Sequence, residues 1–266
     1  MRVSVLVVAL AGVGCKKTPE APRNLDQLSH DVYLHYDDPS ALAVDVGDML
    51  DTVLDLVGSE EAEKGFTLTD LSPDEVVAVD HPEDRDFSLL IGAAVMGFST
   101  FPPADHAISM TESSQTWNDP HTYNRYDRVI VRGDADAFAD GSGRIDTEND
   151  IEKAGAFGVT IPYDLMKDFQ WVRTSAGDAV IARSWVEEHG CSENGKNCVM
   201  SSFSLEFYYP DPNNASGALR LTSTWIDLVT EADSLLTEEY SLDLLVNGIY
   251  DIFENTDAHL AGTLEE

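Results

Sequence analysis

Basic residues are scarce in this sequence. Lys and Arg number 16 against 49 Asp and Glu in 266 residues, giving a formal net charge of −33. A surface of that sign repels phosphate backbones, which argues against nucleic acid as a partner, and it keeps the chain solvated and monomeric. Catalytic signatures are missing too. There is no H-E-x-x-H helix, no G-x-S-x-G elbow and no G-x-x-x-x-G-K-[ST] phosphate loop. The seven histidines (His30, His35, His81, His106, His121, His189 and His259) are scattered, and His30 and His35 are five apart, off a common helical face. No enzyme activity and no cofactor is expected from these residues.

Cysteine is nearly absent. Of the three, Cys191 and Cys198 flank Ser-Glu-Asn-Gly-Lys-Asn, a run of turn formers. After it, Phe203, Leu205, Phe207 and Tyr209 alternate with Ser202, Ser204, Glu206 and Tyr208, the period of a half-buried strand. Before it lies a β-rich run over residues 179–187. The spacing fits neither C-x-x-C redox chemistry nor a zinc site, which would need a second pair. A hairpin stapled by a Cys191–Cys198 disulfide is expected. Closing so short a ring stabilises by roughly 2.5 kcal/mol in the chain-entropy treatment. Such a bond requires an oxidising compartment.

Long apolar runs are also missing, and neither residues 3–13 nor residues 87–101 approach the roughly 20 residues that a membrane-spanning helix needs. The first run follows Arg2 and ends in Val13-Gly14-Cys15, a length that suits the apolar part of a secretory signal. This segment resembles a bacterial lipoprotein signal peptide, although Gly12 stands where that family has a Leu-like residue. The resemblance implies a signal over residues 1–14, lipid modification of Cys15 and a tether over residues 15–24. It also implies residence in the bacterial cell envelope, on the outer membrane or its periplasmic face. A dinucleotide-binding turn at Gly12-Val13-Gly14 is excluded, because Lys17 replaces the third glycine and Pro19 and Pro22 forbid the helix that must follow.

Residues 25–266 read as one α+β domain. Helices are expected over residues 25–38 and, with Ser40 as N-cap, over residues 41–57, where Leu42, Val46, Met49, Leu50, Val53 and Val57 form an apolar stripe. A further helical turn is expected from Ser72. The apolar run 87–101 reads as a buried element. Its small residues, Gly92, Ala93, Ala94 and Gly97, suggest room for an apolar ligand beside Met96 and Phe98. Trp225 is a further candidate for that site. Trp117, Trp171, Trp185 and Trp225 could line a sugar- or lipid-binding face, but tryptophans in such folds usually fill the core.

Residues 122–131 have strand composition and suit a sheet edge. Residues 134–150 resemble part of an EF-hand loop, with Asp140, Ser142 and Asp146 as weak ligand candidates. Phe138 and Asn149 occupy the two strongest ligand positions, so an acidic turn is expected and no metal. Four strands joined by short connections follow, an antiparallel meander. Last comes a long helix from Thr237 carrying Leu242, Leu245, Val246, Ile249 and Phe253.

The expected architecture is N-terminal helices, a β-meander sheet and a long C-terminal helix packed on it. That order is similar to START-like, helix-grip domains, which implies an apolar ligand held between sheet and helix. The function expected is a non-enzymatic, lipid-anchored envelope protein binding an apolar or amphipathic small molecule. The alternative is a surface protein recruiting a protein or glycan partner.

Overall fold

Proline sets where the first helices begin. In the computed structural model, which describes residues 17–154, 159–231 and 237–264, Pro22 precedes α1 (Arg23–His35), and Pro39 is the first residue of α2 (Pro39–Leu56). The α2 cap is Asp38 rather than Ser40: its carboxylate accepts from Ser40 N at 2.9 Å and Ala41 N at 3.2 Å. Proline at the first helical position loses no hydrogen bond, so the helix starts one residue before the expected cap. Gly58, with φ 81°, lets the chain turn away after α2. At Ser72 a single turn forms, Glu75 N donating to the Ser72 carbonyl at 3.0 Å and the Glu75 carboxylate accepting from Ser72 N and Oγ.

The remaining elements follow in order: β1 (Phe66–Leu68), β2 (Ile91–Ser99), α3 (Pro103–Met110), β3 (Tyr123–Gly133), α4 (Ala135–Ala139) and β4 (Arg144–Ala154). After these come β5 (Thr160–Thr174), β6 (Gly177–Trp185), β7 (Gly190–Cys191), β8 (Cys198–Asp211), β9 (Asn214–Val229) and α5 (Glu238–Leu260). The strands form one antiparallel sheet in the order β1-β2-β9-β8-β6-β5-β4-β3, with β7 paired to β8. The α+β architecture is thus the expected one, with β3 at the edge. Cys191 and Cys198 face each other across the β7–β8 turn and are disulfide-bonded, with Cα atoms 4.1 Å apart. Cys15 lies outside the described residues.

Both faces of the sheet are covered. On one face Phe203, Phe207, Tyr209, Leu219, Leu221 and Trp225 pack under α1 and α2. On the other, α5 lays Leu242, Val246, Ile249 and Phe253 over Ala93 and Val95 of β2, while α3 and α4 cover Val180, Ala182 and Phe169. Among the described residues no helix is long and apolar enough to cross a membrane.

Residues 134–150 depart from the expected acidic turn. Asp134 caps α4, Gly141 and Gly143 turn the chain at φ 96° and 83°, and β4 begins at once. Ser142 donates to the Ala137 carbonyl, and the Asp146 carboxylate meets Arg144 at 2.7 Å and Arg132 at 3.5 Å. Asp140 closes α4. The described residues contain no group of three or more metal-ligating side chains.

The apolar-ligand expectation meets a packed interior. A Cβ on Gly92 would lie 2.8 Å from both the Leu68 carbonyl and Trp225 Cδ1. Met96 and Trp225 are 3% and 0% exposed in the core beneath α1 and α2, while Phe98 is 48% exposed at the far end of β2. The small residues make room for β1, Trp225 and α5, not for a ligand.

Candidate functional site

Three neighbouring strands place charged side chains on the face that α1 and α2 only partly cover. Alternation puts Arg144, Asp146 and Glu148 of β4 on that face, with Met166 and Asp168 of β5 and Arg183 and Trp185 of β6. The register aligns them in two rows. Asp146 lies opposite Asp168, which lies opposite Arg183; Glu148 lies opposite Met166, which lies opposite Trp185. Asp37 closes one wall from the turn between α1 and α2. It is held there because Tyr36, buried beside it, donates its hydroxyl to the Asp168 carbonyl at 2.9 Å. Ala78 and Val131 complete the rim of a cleft of about 340 Å³. That falls within the range of roughly 300–1,000 Å³ typical of small-molecule sites.

Arg144 organises the carboxylates. Its Nη1 lies 2.6 Å from Asp37, its Nε 2.7 Å from Asp146 and its Nη2 2.5 Å from Asp168. Burial acts upward on Asp37, but the hydrogen bond from Arg144 and the charges of Arg183 and Arg144 bring its pKa below the usual carboxylate value. For Asp168 burial prevails over the charges of Arg144 and Arg183, and its pKa is raised.

Arg183 is different, because much of its capacity is unused. It is 2% exposed, its guanidinium lies 4.3 Å above the Tyr36 ring and 5.4 Å from the Trp185 ring, and only Nη2 is engaged, with Asp37 at 2.9 Å and Asp168 at 3.0 Å. Among the described residues, its Nε and Nη1, together with Trp185 Nε1, are buried with no acceptor. Buried donors left without acceptors are costly, and each requires an explanation. Those three atoms are closed off from solvent, and the cleft wall beside them carries Arg144 and the carboxylates of Asp146 and Glu148. Val131, Met166 and the Trp185 ring supply apolar surface.

Between the sheet and α5, where a helix-grip domain would hold its ligand, Leu242, Val246, Ile249 and Phe253 lie on Ala93 and Val95. A cavity of about 20 Å³, enough for about one water molecule, lies beside α3, with Thr256 of α5 at its margin. Its lining is polar and includes His106, Gln115, Arg128, Lys167, Glu206 and Tyr208. Lys167 meets Glu206 at 2.5 Å, and buried Arg128 bonds Asn149 at 2.7 Å and the Met110 carbonyl at 2.6 Å.

No protein-family model matches the chain, and no curated protein does. Solved structures give looser likenesses. A STAR-related lipid transfer protein fragment from Xanthomonas axonopodis aligns at 10% identity over 65% of this chain and 85% of its own, with a TM-score of 0.42. A Thermus thermophilus protein aligns at 11% identity, over 65% of this chain and 99% of its own, with a TM-score of 0.41. Ara h 8.0201 aligns at 13% identity, over 65% and 99%, with a TM-score of 0.37. At such scores function is not transferred.

Of the residues singled out in the sequence, only Asp146 and Trp185 line the cleft. Gly92, Met96, Phe98, Trp225, Asp140 and Ser142 do not. Arg144, Asp168 and Arg183 escaped notice because single charges within strands read as solvent-facing, and only the cross-strand register joins them.

Proposed function

We propose that this chain is a lipid-anchored envelope protein whose domain binds a small polar molecule in the cleft over β4, β5 and β6. The observation that carries the binding half is the cleft of about 340 Å³ itself, where Arg144 and four carboxylates meet beside Met166 and Trp185. A polar ligand would bond to that lining. Its charge follows from the lining: Asp37, Asp146, Glu148 and Asp168 outnumber Arg144 and Arg183 by two. An anionic ligand is therefore disfavoured. A neutral molecule carrying both hydroxyl donors and oxygen acceptors fits, with its less polar face against Met166 and the Trp185 ring. This replaces the apolar ligand expected from the run around Met96. The anchoring half rests on the signal-like segment ending at Cys15 and on the disulfide, which suits an oxidising envelope.

Native mass spectrometry tests the binding half. The full chain carrying Cys15→Ser is recovered without denaturant from an oxidising compartment. An adduct released into the aqueous phase on denaturation is expected. Trp185→Ala removes the ring against which the ligand's less polar face rests, and it should weaken retention about three- to tenfold, the effect of about 1 kcal/mol. A bare mass for both proteins, or an adduct insensitive to Trp185→Ala, overturns the assignment.

A further inference from the structure

From Thr18 onward, the segment expected to be a tether is built into the domain. Ala21 N donates to the Thr67 carbonyl at 2.9 Å and Thr67 N to the Pro19 carbonyl at 2.8 Å, so Pro19, Glu20 and Ala21 run alongside β1 as a parallel edge. Thr18 is 4% exposed and donates to Asp243 of α5 at 3.3 Å. Only Lys16 and Lys17 separate this fastened point from Cys15. Three residues of chain span at most about 10 Å. A lipid on Cys15 would thus hold the β1 edge and the first half of α5 within that distance of the bilayer.

The outer surface of α5 at that end carries an apolar pair one turn apart, Tyr240 at 50% and Leu244 at 52% exposure. The cleft lies at the other end of the sheet. From β1 to the strands that floor it there are four to six strand spacings, roughly 20–30 Å.

We propose that the β1 edge and the Tyr240–Leu244 surface of α5 rest on the lipid bilayer that holds Cys15, so that the cleft meets the aqueous compartment. The inference rests on the anchoring half of the proposed function. It adds that the ligand arrives from water rather than being drawn from the anchoring membrane. The surface that touches lipid does so because the anchor is short. The chain's charge of −33 gives it no attraction to anionic headgroups.

The test uses the full lipidated chain in phosphatidylcholine vesicles with brominated acyl chains. With Cys15 acylated and Cys191 bonded to Cys198, a cysteine introduced by Leu244→Cys or by Val131→Cys is the one thiol available to a bimane label. Val131, at the cleft rim, is 51% exposed. The label at position 244 should be quenched about twofold or more, as expected for a side chain reaching the headgroup–acyl boundary, and the label at 131 unaffected. Equal, weak quenching at both positions, or stronger quenching at 131, overturns the orientation. Flotation separates the underlying anchoring. If the Cys15→Ser chain floats with vesicles as the parent does, the lipid anchor is wrong, and the quenching pattern still reports which face lies on lipid.

Discussion

His106 sits fully buried on α3, its Nε2 3.0 Å from Ser99 Oγ and its ring 4.7 Å from that of Tyr208. Burial, aided by the charge of Arg220, pushes its pKa from 6.5 down to about 3. Between those values the unfolded chain binds a proton that the folded chain does not, so stability rises with pH across the window and is lost as pH falls through it. Asp168 acts in the opposite sense. Its raised carboxyl binds a proton more readily in the fold, so its contribution is present in acid and fades as pH rises through the raised value. The His106 window opens at 6.5, so its effect should be seen on leaving neutrality. Replacing His106→Gln should therefore reduce the stability lost between pH 7 and 4.5 by about 2–3 kcal/mol, measured by urea unfolding. Equal losses in parent and variant would mean that His106 charges without cost.

At the scale of elements, the two glycines of β2 separate a close approach from ordinary packing. A Cβ at Gly92 meets backbone and the Trp225 ring at 2.8 Å, whereas one at Gly97 meets the Phe253 ring at 3.5 Å, an ordinary contact. Gly92→Ala should cost about 1–3 kcal/mol by overpacking, and Gly97→Ala should be neutral or slightly stabilising, both read from urea midpoints. A neutral Gly92→Ala would restore the idea of spare room beside Met96.

The same strand shows what was legible in the sequence. An apolar run announces a buried element, but whether its small residues make a pocket or a close contact depends on β1 and Trp225, which meet it from elsewhere in the chain. Helices α2 and α5 were readable because their stripes recur at helical spacing and every member packs inward. Strand β4 was not, because Thr147 and Asn149 alternate with Ile145 and Ile151 on its buried face and disguise the apolar period. The cleft was fainter still. It exists only where Asp146, Asp168 and Arg183 fall in register on three strands, and register is not written in any one of them.

Across the whole molecule the charge imbalance sets the response to salt. Screening weakens attractive pairs and repulsive ones alike, so the sign depends on which are more numerous. With 16 cationic side chains against 49 carboxylates, at most 16 carboxylates have a cation to themselves, and at least 33 share one or have none. The cations that matter most to the cleft, Arg144 and Arg183, are largely withdrawn from solvent, where added ions screen little. Relief of repulsion should therefore outweigh the loss of exposed pairs such as Arg173–Asp178 and Lys196–Glu231, which are worth about 0–1 kcal/mol each. The melting temperature is expected to climb as ionic strength goes from about 0.01 M to 1 M, where the screening length shrinks from roughly 30 Å to 3 Å. Sodium chloride and the more weakly bound tetramethylammonium chloride should act alike, since screening depends on ionic strength and not on the cation. A rise with sodium alone would point to cations held at fixed places among the carboxylates, and a flat or falling curve would show that the excess charge does not strain the fold.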